Sequence, residues 1–333
     1  VPHTLSDQHF LQALAALDSP EFSDEEKVQM LMQTALTLQT RPPSPKQLYD
    51  AVVLYDKALS LCPPTEVLQH ARMRALKASA LQMIPDHDSS YLEEAKKEIE
   101  SALPVLEASG EPEELAEVHM HLGLILQALA SANKARITEA IVFYQKALLT
   151  FGKESFPTEF AILHNNLATA YLSIPLTGEK AKMREALAVQ SYQAALEVIT
   201  LENDPSEYAM LQNNLGNALQ YAASGHPVEN NLRALKAYDE ALRVRNARLS
   251  PLPYANTISN KANCLLNLPD APGDSGNAQL SNRLNLAQAK TLYLEAREIF
   301  REHGEKDKAS MIDECLGEIQ SQLDLLGPYD GDE

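Results

Sequence analysis

Two short runs decide how this chain folds: Asn165-Asn166-Leu167-Ala168-Thr169-Ala170-Tyr171 and, further on, Ala188-Val189-Gln190-Ser191-Tyr192-Gln193-Ala194-Ala195. In the second, Ala188, Tyr192 and Ala195 are spaced by four and then three residues, which puts them on one face of a helix. Small, large, small on one face lets a second helix approach closely while the ring fills the gap. We call this element helix B. It recurs as Ala51-Tyr55-Ala58, Ala95-Ile99-Ala102, Ala140-Tyr144-Ala147, Ala234-Tyr238-Ala241 and Ala289-Tyr293-Ala296.

The first run is helix A. It recurs as Asn214-Leu215-Gly216 before Leu219, Asn260-Lys261-Ala262 before Leu265, and His121-Leu122-Gly123 before Leu126. Weaker copies are Leu76-Lys77-Ala78 and Gln33-Thr34-Ala35. Glycine inside a helix costs about 1 kcal/mol against alanine, so Gly123 and Gly216 call for a packing reason. Ser44-Pro45-Lys46-Gln47 and Asp204-Pro205-Ser206-Glu207 carry an N-cap, a first-position proline and a capping-box acceptor. Ser23 with Glu26 and Ser90 with Glu93 read as simpler boxes. No stretch alternates with period two, so no sheet is expected.

The A–B alternation resembles the tetratricopeptide repeat, whose usual unit is 34 residues. The Asn-Asn-Leu-Ala/Gly copies are most similar to the long-unit class of kinesin light chains and of bacterial arrays attached to caspase-like proteases. The resemblance implies an all-α, right-handed solenoid of about six helix hairpins with capping helices at both ends. The implied division is an N-terminal cap at 1–20 and repeats at about 21–64, 65–109, 110–155, 156–203, 204–249 and 250–303. A C-terminal cap at 304–326 and a disordered tail at 327–333 complete it.

Successive small residues of helix A (Ala35, Ala78, Gly123, Ala168, Gly216, Ala262) lie 43, 45, 45, 48 and 46 residues apart. From the last Ala of B to the next A the count is 20 once and 21 four times, whereas from A to its own B it runs from 16 to 27. A constant count implies fixed geometry, and a variable one implies loops. The longest of these, 269–285, is expected to be a mobile loop.

Composition narrows the function. The chain has 333 residues, 45% of them hydrophobic, and a formal net charge of −18. That balance supports a packed core and disfavours nucleic acid or anionic lipid as a partner, since both attract clustered Lys and Arg. No apolar run is long enough to span a membrane. Three scattered cysteines and no leader-like N-terminus point to a reducing, cytoplasmic setting. GxSxG, P-loop, GxGxxG and HExxH are absent, so neither an enzyme nor a cofactor is expected. His119 and His164 hold equivalent places in adjacent repeats, but without a carboxylate or thiolate in register they make a poor metal site.

The resemblance also implies that A helices line a concave groove. Numbering the Leu of helix A as position 7, the groove positions of the first three repeats carry Met32, Leu36, Leu76, Met120 and Leu124. These could receive a partner's amphipathic helix, or be covered by the chain's own helix 4–17. Those of the last three carry Asn165, Asn166, Asn213, Asn214, Asn217, Asn260 and Asn263. A carboxamide offers a donor and an acceptor, as a peptide backbone does. Relatives that bind extended peptides use Asn at position 6, so Asn166, Asn214 and Asn260 are the first candidates. Asn213, Asn217, Asn165, Asn263 and His121 follow. The alternative is that these amides bond neighbouring helices or water. Positions 2, 5, 6 and 9 of the last three repeats hold no basic residue, which argues against a C-terminal carboxylate clamp. The expected activity is a scaffold or adaptor that binds a protein or extended peptide. A peptide-sensing regulator and a client-specific maturation chaperone are the alternatives.

Overall fold

The computed structural model describes residues 5–40, 42–85, 88–175, 177–222, 226–268 and 275–326. All elements among them are helices. The chain divides into two compact units, 1–156 and 157–333.

The first unit holds α1 (Leu5–Leu17), α2 (Asp24–Thr40), α3 (Pro45–Leu61), α4 (Val67–Met83), α5 (Ser90–Ser109), α6 (Pro112–Ser131) and α7 (Ile137–Ala147). The second holds α8 (Pro157–Leu172), α9 (Glu179–Leu196), α10 (Pro205–Gln220), α11 (Pro227–Leu242), α12 (Pro251–Leu266), α13 (Ser275–Glu302) and α14 (Lys306–Leu325). The tightest pairs are α2 with α3, α4 with α5 and α6 with α7, then α8 with α9, α10 with α11 and α12 with α13. Each is an A–B hairpin, and within each unit the B helix of one hairpin packs on the A helix of the next. Helix α1 lies on α2 and α3, and α14 lies on α13.

The repeated small-large-small triplets explain the packing. All eighteen of their residues are buried. The small residue of helix A meets the large residue of its own B. A Cβ placed on Gly123 would lie 2.5 Å from the Tyr144 ring, and one on Gly216 would lie 2.6 Å from the Tyr238 ring. The two glycines therefore let those rings sit directly against the A-helix backbone.

Helix starts follow the local signals with one exception. Ser23 and Glu26 cap each other reciprocally, with Ser23 N–H to Glu26 Oε2 at 2.8 Å and Glu26 N–H to Ser23 Oγ at 3.3 Å. Asp204 Oδ1 accepts the Glu207 N–H at 3.0 Å. The expected Ser90 box does not form. Ser89, at φ 67°, is the cap, and Ser90 is already helical, with its N–H on Asp88 Oδ1. The expected loop at 269–285 also needs correction. Residues 269–274 lie outside the described residues, but from Ser275 onward the chain is helix α13. No proline or glycine interrupts 277–303, so the helix propagates back from its buried half. The tail 327–333 lies outside the described residues. Among the described residues no helix is long and apolar enough to cross a membrane.

Candidate functional site

The tyrosines of helix B need hydrogen-bond partners, and the A helices supply them. Tyr55 donates to Gln39 Oε1 at 3.0 Å, and Tyr144 to Gln127 Oε1 at 3.0 Å. The Tyr238 hydroxyl lies 2.8 Å from both Gln220 Oε1 and Asn217 Oδ1. Each glutamine stands four residues after the small residue of its A helix. Where that position is Leu172, the Tyr192 hydroxyl turns to Thr169 Oγ1 at 3.2 Å. Where it is Leu266, Tyr293 meets the Cys315 thiol on α14. Burial pushes all five phenols up, so they stay protonated at neutral pH. These partnerships escaped the sequence reading. Their signal was available in the Gln recurring four residues after the small residue.

The second repeat shows the same rule from the other side. Its B helix carries Ile99, so Gln82 has no tyrosine to accept from. Its Oε1 lies 3.2 Å from His121 Nδ1, and His121 Nε2 lies 3.4 Å from Ser79 Oγ. Ser79 in turn accepts from Gln39 Nε2 at 3.0 Å. His121 is thus tied into a side-chain chain running across α2, α4 and α6. Burial pushes its pKa down to about 4, which keeps the ring neutral. Of the polar candidates named from sequence, His121 alone lies in the first unit. The apolar candidates of that unit are only partly enclosed. Met32 and Leu76 are partly buried against the same core cluster as Phe10, Leu14 and Leu17 of α1, while Leu36 is exposed.

The other seven candidates all lie in the second unit, on α8, α10 and α12. Asn213 is buried, and the rest are half-buried. Two neighbouring helices are joined through them, since Asn260 Nδ2 donates to Asn213 Oδ1 at 3.2 Å. Asn213 Nδ2 reaches toward Asn214 Oδ1 at 3.5 Å. Asn263 Nδ2 donates to the hydroxyl of Tyr221 at 2.7 Å, and that ring is 66% exposed. Asn217 spends its oxygen on Tyr238. Four of the seven amides, Asn213, Asn217, Asn260 and Asn263, therefore bond to neighbouring helices or loops, as the alternative has it.

What remains is the polar capacity this network leaves over. Asn166 has no side-chain partner among the described residues. Asn165 Oδ1 is shielded from solvent and has no donor. Asn214 Nδ2, Asn260 Oδ1 and Asn263 Oδ1 likewise have no partner among the described residues. Ile162 on α8 and Tyr221 at the C-terminal cap of α10 expose apolar surface beside them. Three helices thus offer spare amide donors and acceptors interleaved with apolar contact area.

At the end of this row, α12, α13 and α14 line an open cavity of about 310 Å3. Asn260 and Asn263 line it from α12, Tyr293 and Phe300 from α13, and Met311 and Cys315 from α14. Cys315 is the one partly exposed thiol, because Cys62 and Cys264 are buried.

No family model and no curated relative matches the chain. Solved structures do. BtubC (BKLC) from P. vanneervenii is 20% identical, with a TM-score of 0.50 over 73% of this chain and 92% of its own. A Rap protein complexed with competence and sporulation factor is 12% identical, covering 98% of this chain and 90% of its own at a TM-score of 0.46. The P58(IPK) TPR domain is 14% identical, covering 98% and 100% at a TM-score of 0.19. The first likeness concerns the fold, and the other two fall below the level at which shape similarity carries an argument. The repeat motif, the helix hairpins and the shared fold agree: this chain is an all-α, tetratricopeptide-like repeat protein.

Proposed function

We propose that the chain is a non-catalytic interaction scaffold, and that α8, α10 and α12 hold the backbone of an extended segment of a partner protein. One observation carries this reading. Asn166, Asn214 and Asn260 stand at the same place in three successive A helices, and each has amide capacity not used inside the protein. A row of carboxamides matches a peptide main chain, which offers N–H and C=O groups in turn. Such contacts fix backbone position and leave side-chain choice to neighbouring pockets. The charge of −18 favours a neutral or basic segment over an acidic one. His121, with both ring nitrogens engaged, is assigned to structure rather than to the partner.

The test is a selection of unstructured peptides on the full chain, followed by affinity measurement on the parent and on the Asn166→Ala, Asn214→Ala, Asn260→Ala triple variant. Loss of about 1 kcal/mol per hydrogen bond weakens binding by more than tenfold in total. Helicity should stay near that of the parent. Equal affinity for both proteins removes the proposal.

A further inference from the structure

The cavity under the last helix takes the ligand's chemistry one step further, and the inference rests on the peptide reading above. Its volume of about 310 Å3 falls at the lower end of small-ligand pockets and suits a single large side chain. Lys308 is the one charged residue lining it. That ammonium is 3.2 Å from Glu305 and 5.3 Å from the centroid of the Phe300 ring, so its charge is already matched. No carboxylate lines the cavity to receive a base. The remaining α13 and α14 lining, Tyr293, Phe300, Met311, Ile312 and Cys315, is apolar apart from the Tyr293 hydroxyl and the Cys315 thiol, and Met311 is 66% exposed. On the α12 side one N–H of Asn260 is given to Asn213 and one of Asn263 to Tyr221, and the carbonyl oxygens of both amides have no donor among the described residues.

We propose that this cavity receives one large, uncharged apolar side chain of the bound peptide, while Asn260 Oδ1 and Asn263 Oδ1 accept main-chain N–H groups beside it. The apolar side chain gains by leaving water, and the neighbouring N–H groups keep their hydrogen bonds as they are desolvated. A basic side chain there would find no carboxylate in the lining, and an acidic one would have to compete with Glu305 for Lys308.

Blocked tripeptides Ac-Gly-X-Gly-NH2, with X as Trp, Leu, Glu or Lys, test this on the full chain. The protein has no tryptophan, so indole emission reports the probe alone. Alkylation of Cys315 by iodoacetamide reports occupancy of the cavity. At ten times its dissociation constant the Trp peptide should slow Cys315 labelling about tenfold, with a blue shift in emission. The Leu peptide should also protect, and the Glu and Lys peptides should not. Met311→Asp, at an exposed position, should abolish both signals. Absence of protection by both Trp and Leu peptides up to their solubility, or equal protection by all four, overturns the inference. If Cys315 stays unprotected while a longer selected peptide still depends on Asn166 and Asn214, the cavity assignment alone falls. If Cys315 is protected but that dependence is missing, the backbone reading falls and the cavity stands.

Discussion

Replacing Gly216 with alanine sets two physical effects of opposite sign against each other. By helix propensity alone the change stabilises by about 1 kcal/mol, since Gly216 lies inside α10. By packing it destabilises. The new Cβ would stand 2.6 and 2.8 Å from two carbons of the Tyr238 ring. Carbon–carbon contact becomes comfortable at about 3.5 Å, so ring or helix must give way by roughly 0.8 Å. Tyr238 is fully buried, and its hydroxyl is held on Asn217 and Gln220. Retreat therefore costs overpacking of about 1–3 kcal/mol and weakens a buried hydrogen bond by about 1 kcal/mol. The net expectation is about 2 kcal/mol of destabilisation, read as a lower urea midpoint by far-UV circular dichroism with an unchanged slope. Two controls sharpen the comparison. Gly317→Ala on α14 meets nothing within 4 Å and should stabilise by about 1 kcal/mol. In a Tyr238→Leu background the ring is gone, so Gly216→Ala should become neutral or favourable, giving a coupling energy of about 2 kcal/mol. A Gly216→Ala variant as stable as Gly317→Ala would refute the idea that these glycines exist to seat the rings.

Other expectations follow from the same contacts. Lys77, 5% exposed at a position where three other A helices carry leucine, is within 3.1 Å of Asp56, Glu94 and Glu98, and Lys77→Met should cost about 2 kcal/mol by leaving those carboxylates together. Burial pulls the lysine pKa down but its three carboxylate partners together outweigh that and raise it, so the contribution is complete below the ordinary lysine value near 10.4 and declines as pH rises above it, and the gap between parent and variant in urea midpoint should narrow in strong alkali. The Arg72 guanidinium holds the Glu114 carboxyl below the usual range through contacts of 2.7 and 3.1 Å. That contribution is present above the ordinary glutamate pKa and lost as pH falls below it, and both groups are about one-third exposed, so Arg72→Ala should flatten the acid limb of the stability curve by less than about 1 kcal/mol. Tyr144→Phe should cost about 1 kcal/mol in thermal unfolding, since it removes only the bond to Gln127.

The hairpins were legible because their determinants are local. Ala, Tyr and Ala at offsets of four and three need only helical geometry to share a face, and six copies fix the frame. The start of α13 was not legible, because the polar residues after 269 read as a loop while the absence of helix breakers beyond 276 was the stronger signal. The Ser90 box failed for a similar reason, with Asp88 and Ser89 competing for the same cap. Partner choice among the amides was beyond reach. Asn260 and Asn213 are 47 residues apart, and whether they meet depends on interhelical distance rather than spacing. The link from Tyr293 to Cys315 was hidden because it needs both the loss of glutamine at Leu266 and the position of a helix outside the repeats.

The central claim is that the spare amides of α8, α10 and α12 hold a peptide main chain, and a crystal structure of the full chain with a selected peptide tests it most directly. The account predicts peptide N–H or C=O groups at about 3 Å from the side chains of Asn166, Asn214 and Asn260. A peptide seated on the B helices, with those three amides unchanged and facing water, would contradict it.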